Sequence, residues 1–106
     1  MSIHSYTKCW LHFIWNTKNH ERIIKNEAAL KISKYLYSYA EEHSIYMAIN
    51  YVNMEHVHIL LDLPSSKTIE DMAKLLKGSS SFWINKERII NNKFSWGRGY
   101  GAFSVS

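Results

Sequence analysis

Between Asn53 and Leu63 apolar and polar side chains alternate. His56, His58, Leu60 and Asp62 fall on one side of an extended strand and Val57, Ile59, Leu61 and Leu63 on the other. The all-aliphatic side needs a hydrophobic layer against it, which leaves the histidine side to face water, a metal or a substrate. Upstream, the run from Lys8 to Asn16 is rich in aromatic and β-branched residues. It suits a strand buried on both faces at the centre of a sheet. Its alternation sets Trp10, His12 and Ile14 against Leu11, Phe13 and Trp15. If the first set shares the side of His56 and His58, His12 becomes a neighbour of that pair. A hydrogen-bonded histidine in a core is the commoner meaning of such a residue.

The segment from Thr17 to Lys25 is polar and basic and reads as a loop. Asn26 then makes a helix N-cap with Glu27 in the first turn, and Ala28, Ile32, Tyr35, Leu36, Tyr39 and Ala40 recur at helical spacing. Tyr46 to Asn53 is a second strand, joined to the histidine strand by a short hairpin through Met54 and Glu55. Pro64 and the serines after it close the histidine strand. Thr68 and Asp71 hold the positions of a capping box for a second helix, which turns Ile69, Met72, Leu76 and Trp83 toward the core. Its other stripe carries Lys74, Lys77, Ser81, Asn85 and Arg88, which could follow a phosphate backbone or simply be solvated. Gly78 to Ser81 is a weak helix former and predicts a bend or a close backbone approach. A glycine-rich loop with Trp96, Arg98 and Tyr100 leads to a final strand from Ala102 to Val105. The order is βαββαβ, the ferredoxin-like α+β arrangement, with an antiparallel sheet and two helices on one face. In it the first and third strands are central, so His56 and His58 lie mid-sheet on the side the helices leave open.

Composition adds limits rather than a function. At 106 residues, 46% apolar and 21% charged, the chain is one ordinary globular domain. A net charge of +4 and a pI near 9.2 fit a polyanionic partner without requiring one. Cys9 is the one cysteine, which points to a reducing, cytoplasmic setting. No run looks like a signal peptide or a membrane span. Neutral imidazoles at adjacent same-face positions can hold a divalent cation, but a catalytic site usually takes about three protein ligands. His12, Glu55 and Asp62 are the open choices for a third, although Asp62 lies two further positions along the face. Ordinary half-buried strand histidines are the alternative, and spacing alone does not choose between them.

Several segments together resemble a known family. Glu55-His56-Val57-His58-Ile59-Leu60-Leu61 is similar to the His-hydrophobic-His motif of single-tyrosine HUH transposases, the small enzymes of insertion sequences and their REP-associated relatives. Trp10 to Lys18 resembles that family's opening strand, Leu75-Leu76-Lys77-Gly78-Ser79-Ser80-Ser81 its Leu-Lys-Gly-x-Ser helical segment, and Trp96 to Ser106 its final-strand signature. The resemblance implies a DNA strand transferase acting on single-stranded, hairpin-bearing transposon ends, usually as a homodimer. His56 and His58 would hold a divalent ion, Mg or Mn, at the scissile phosphate, which a tyrosine attacks.

In the family that tyrosine sits on a further helix after the final strand. None of the tyrosines here matches it, and Tyr100 belongs to the final-strand signature. The expectation is therefore a single transposase-like domain, 1–106, that lacks the C-terminal catalytic helix. Two other readings stay open. One is a non-cleaving single-stranded nucleic-acid binder using Lys74, Lys77, Ser81, Arg88, Trp96 and Arg98. The other is a small dimeric ferredoxin-like domain that binds a metabolite.

Overall fold

Strand β1 (Trp10–Asn16) and strand β3 (His56–Asp62) run antiparallel at the centre of a four-stranded sheet. Strand β2 (Tyr46–Val52) flanks β3 and strand β4 (Gly101–Ser104) flanks β1, in the order β2-β3-β1-β4. This is the expected ferredoxin-like topology, seen in a computed structural model that describes residues 9–105. Lys8, placed above at the start of the opening strand, lies outside the described residues. Helices α1 (Asn26–Glu42) and α2 (Ile69–Lys86) lie together on one side of the sheet, where the Tyr35 ring stacks on Trp83 at 4.5 Å and 17°.

The core forms where the helices meet the aliphatic side of the sheet. Phe13, Val57, Ile59 and Leu61 have no exposed surface, and neither do Ile32 and Leu36 of α1 or Met72, Leu76 and Ile84 of α2. Each large side chain so buried contributes roughly 1.5–3 kcal/mol. Strand β1 departs from the expectation in one respect: its burial alternates, so only Leu11, Phe13 and Trp15 are fully covered. Both helices pack on that side, and among the described residues the Trp10, His12 and Ile14 side has no second layer over it.

The helix boundaries follow local chemistry. Thr68 Oγ1 accepts the Asp71 N–H at 3.0 Å and the Asp71 carboxylate accepts the Thr68 N–H at 3.3 Å, which completes the capping box. At α1 the cap position falls on Lys25 rather than Asn26, with no side-chain hydrogen bond, although Glu27 does sit in the first turn. Helix α2 runs unbroken through Gly78, and a Cβ built there would meet nothing within 4 Å. Neither the bend nor the close approach expected at that glycine occurs.

Two residues of the polar stripe of α2, Lys77 and Asn85, hold the glycine-rich loop. Lys77 Nζ donates to the carbonyls of Gly97 at 2.8 Å and Gly99 at 2.7 Å, and burial pulls its pKa down. Asn85 Nδ2 donates to the Phe94 carbonyl at 2.9 Å, while its Oδ1 accepts the Phe94 N–H at 2.8 Å. Half-buried Ser81 offers its carbonyl to the same Asn85 amide. Trp96 is not a surface stacking residue: it is 8% exposed, set edge to face against Trp15 and Phe94, with its indole N–H on Ser80 Oγ at 2.9 Å. Ser80 in turn donates to the Leu76 carbonyl at 2.6 Å, so this buried polar contact is closed on both sides. The loop also pairs with the end of β1 through Gly97 N–H to the Asn16 carbonyl at 2.8 Å. Gly99 has φ +79°, a conformation that favours glycine.

Two stability outcomes are expected. Gly78→Ala should raise stability by about 0.4–1 kcal/mol, because the helix gains propensity and the added methyl meets open space; a higher urea midpoint at unchanged m-value checks it. Lys77→Met should cost about 1 kcal/mol and speed amide hydrogen exchange in residues 96–100, since two loop carbonyls lose their donor.

Candidate functional site

Period-two alternation along β3 keeps Val57, Ile59 and Leu61 under the helices and turns His56 and His58 to the open side. Antiparallel pairing then fixes their neighbours. His58 is opposite Ile14 of β1 and Tyr51 of β2, His56 is opposite Asn16, and His12 is opposite Leu60, one step diagonally from His58. The His56 and His58 rings stand 4.7 Å apart at 77°. The His12 ring lies edge to edge with His58 and nearly in its plane, 5.2 Å between centroids and 19° between planes, with His12 Nε2 at 3.0 Å from His58 Nδ1. His12 thus shares the histidine side and is hydrogen-bonded as well.

Rings continue across the sheet in both directions. Tyr51 lies 6.3 Å from His58, and Phe103, opposite His12 in β4, lies 6.3 Å from the His12 ring. Tyr51, His58, His12 and Phe103 therefore form one row that touches all four strands. Tyr51 and Phe103 are each 58% exposed, and a shallow pocket of about 320 Å³ opens beside the row, lined by His12, Ile49, His58, Leu60 and Val105. The sequence reading passed over both aromatics. Tyr51 could have been found from the hairpin, because pairing Val52 with Val57 puts it opposite His58. Phe103 could not, since its place depends on the β1–β4 register.

Electrostatics on this side favour a neutral His58. Desolvation by burial, then the nearby His56 and His12, push the His58 pKa below that of an ordinary histidine. A neutral ring keeps a lone pair for a metal or a proton. The carboxylates do not join it. Asp62 is buried opposite Trp10, where its Oδ1 accepts the Cys9 N–H at 2.9 Å, and Glu55 faces Arg22 at 3.8 Å. Among the described residues no group of three or more His, Cys, Asp or Glu side chains is arranged to hold a metal. The donors that do fit are the two imidazoles of His56 and His58, a partial set that leaves the remaining positions of an ion to water or a phosphate oxygen.

Lys74, Arg88 and Arg98 lie on separate parts of the molecule. Lys74 is exposed on α2 beside Glu70 at 3.9 Å, in the helical layer on the other side of the sheet. Arg88 is exposed just past the end of α2 with φ +53°. Arg98 is exposed on the loop whose Gly97 is tied to Asn16, the residue opposite His56. Of the cations proposed from sequence, Arg98 is on the segment that reaches the histidine end of the sheet. No helix among the described residues is long and apolar enough to cross a membrane.

No curated protein sequence matches the chain. Among solved structures, a candidate transposase from Deinococcus radiodurans R1 superposes with a TM-score of 0.85 at 23% identity, over 100% of this chain and 85% of that one. A REP-associated tyrosine transposase bound to a REP hairpin superposes with a TM-score of 0.65 at 11% identity, over 92% of this chain and 56% of that one. At such identities these likenesses establish the fold. The sequence pattern of the family described as "Transposase IS200 like" matches residues 5–106, and the chain belongs to that family.

Proposed function

We propose that this chain is the DNA-handling domain of a single-tyrosine HUH-type transposase, which holds a single-stranded, hairpin-bearing transposon end with the scissile phosphate over His56 and His58. One observation carries the reading. In a member of the IS200-like transposase family, these histidines stand side by side, 4.7 Å apart, on the open side of the central strand pair. A hairpin DNA partner is supported by the REP-associated relative, whose structure is described as bound to a REP hairpin.

His56 and His58 would supply two neutral nitrogen donors to a divalent ion, Mg²⁺ or Mn²⁺, which when bound polarises the phosphate and offsets the charge that builds on its oxygens. Their place on a sheet paired on both sides fixes them more firmly than a loop would. Arg98 would contact the DNA backbone near the His56 end, a contact that positions the strand without reading its sequence. The open aromatic surface of Tyr51 and Phe103 suits unpaired bases, which stack on exposed rings.

No tyrosine among the 106 residues matches the family's nucleophile. Tyr51 comes near His58, but as its cross-strand neighbour on an edge strand. The role proposed for these residues is recognition and phosphate placement, with attack supplied by a tyrosine outside them.

A labelled single-stranded hairpin incubated with the purified chain and Mn²⁺ should give a shifted band on a native gel and no covalent band on a denaturing gel. A covalent product lost in Tyr51→Phe would overturn the division of roles. Binding indifferent to Mn²⁺ and to His56→Ala and His58→Ala alike would remove the histidines from the site. Arg98→Ala should weaken binding to all sequences similarly and lower the slope of log K against log salt by about 0.7.

A further inference from the structure

We propose that His12 is a positioning residue for His58: its Nε2 accepts the His58 Nδ1–H, which turns the other nitrogen of His58, Nε2, outward with a lone pair free for a metal ion. The inference rests on the reading of His56 and His58 as metal ligands. His12 itself does not converge with them on a common point, since its ring lies nearly parallel to His58 at 19° and its Nε2 meets His58 Nδ1 at 3.0 Å. The contact is a ring-to-ring hydrogen bond, so one nitrogen donates and the other accepts.

The two possible directions have different chemical consequences. If His12 donated, neutral His58 would carry its own proton on Nε2 and have no lone pair left for a metal. With His12 as acceptor, His58 is held as the Nδ1–H tautomer and Nε2 becomes the ligating atom. Histidines that bind metals are ordinarily fixed in this way by a partner on the second ring nitrogen. Here, among the described residues, no carboxylate takes that place, because Asp62 is engaged with the Cys9 N–H at the far end of the strand and Glu55 faces Arg22. The sheet supplies His12 instead, and its position is set by backbone register. Opposite Leu60, it lies one diagonal step from His58, the distance at which long side chains reach each other across a strand pair. On its far side Phe103 flanks the His12 ring at 6.3 Å and helps hold it against His58.

The test uses the whole chain with Ni²⁺ as a probe that favours imidazole nitrogen. Calorimetry defines the site as the binding component lost in His58→Ala. His12→Phe keeps an aromatic ring at the position but removes the acceptor, and should weaken that component roughly 10- to 100-fold. His12→Gln, whose side-chain oxygen can reach the position of Nε2, should recover most of the affinity. Nitrogen NMR of the metal-free protein should show His58 protonated on Nδ1 in the wild type and in His12→Gln, and a mixture of tautomers in His12→Phe. If His58→Ala removes no Ni²⁺ component, the metal reading fails and the inference falls with it. If that component exists but His12→Phe leaves both affinity and tautomer unchanged, the inference alone is overturned. Should His12→Phe not fold, a folded His12→Gln that binds no better than His58→Ala overturns it equally.

Discussion

The antiparallel pairing of β1 with β3 is the interaction on which the rest of the molecule depends. Each strand is the other's central neighbour, and the ladder runs from Trp10 opposite Asp62 to Asn16 opposite His56. It does two separate jobs through the two-residue period of a strand. On one side it assembles Leu11, Phe13, Trp15, Val57, Ile59 and Leu61 into the floor on which both helices pack. On the other it brings His12 beside His58. A slip of one residue would exchange these sides, burying imidazoles under the helices and exposing the aliphatic floor. The large hydrophobic term that stabilises the fold therefore also secures the register of the polar site.

A second dependence links α2 to the loop before β4. Residues that look like a solvated basic stripe are in fact tied to that loop by short hydrogen bonds from Lys77 and Asn85, and the loop's tryptophan fills a place in the core. The magnitudes explain why such residues are poor guides to a binding surface. The exposed Lys74–Glu70 pair, four residues apart on the helix, contributes about 0.3–0.5 kcal/mol. An ammonium group held by two carbonyls, or an indole N–H closed on a buried hydroxyl, contributes more and is costly to leave unpaired. The surface left for the proposed DNA contact is smaller than the charge count suggests, and Arg98 stands on the loop that α2 anchors.

The open side of the sheet carries the function proposed here because it combines features seldom left exposed together. Two imidazoles stand on rigid neighbouring strand positions, a third histidine braces one of them, and aromatic rings continue the row to both edges. Burial and the neighbouring histidines both favour a neutral His58. Neutral nitrogen donors for an ion and flat apolar faces for unpaired bases are complementary needs of an enzyme that grips a phosphate within a single strand.

Much of this was legible in the amino-acid order itself. Alternation in Asn53 to Leu63 marked the histidine side, helical spacing marked both helices, and Thr68 with Asp71 marked the start of α2, because these signals arise from neighbours within a few residues. The βαββαβ order then placed β1 and β3 at the centre, and the likeness of four ordered segments pointed to the transposase family that the chain proved to belong to. Tertiary structure decided the rest. The burial of Trp96, the capture of Lys77 by Gly97 and Gly99, the alternating burial of β1 and the meeting of His12 with His58 all join residues far apart in the chain. No local period records which helix face a distant loop will cover or which diagonal partner a strand register will supply. Those choices follow from packing of the whole sheet and its two helices.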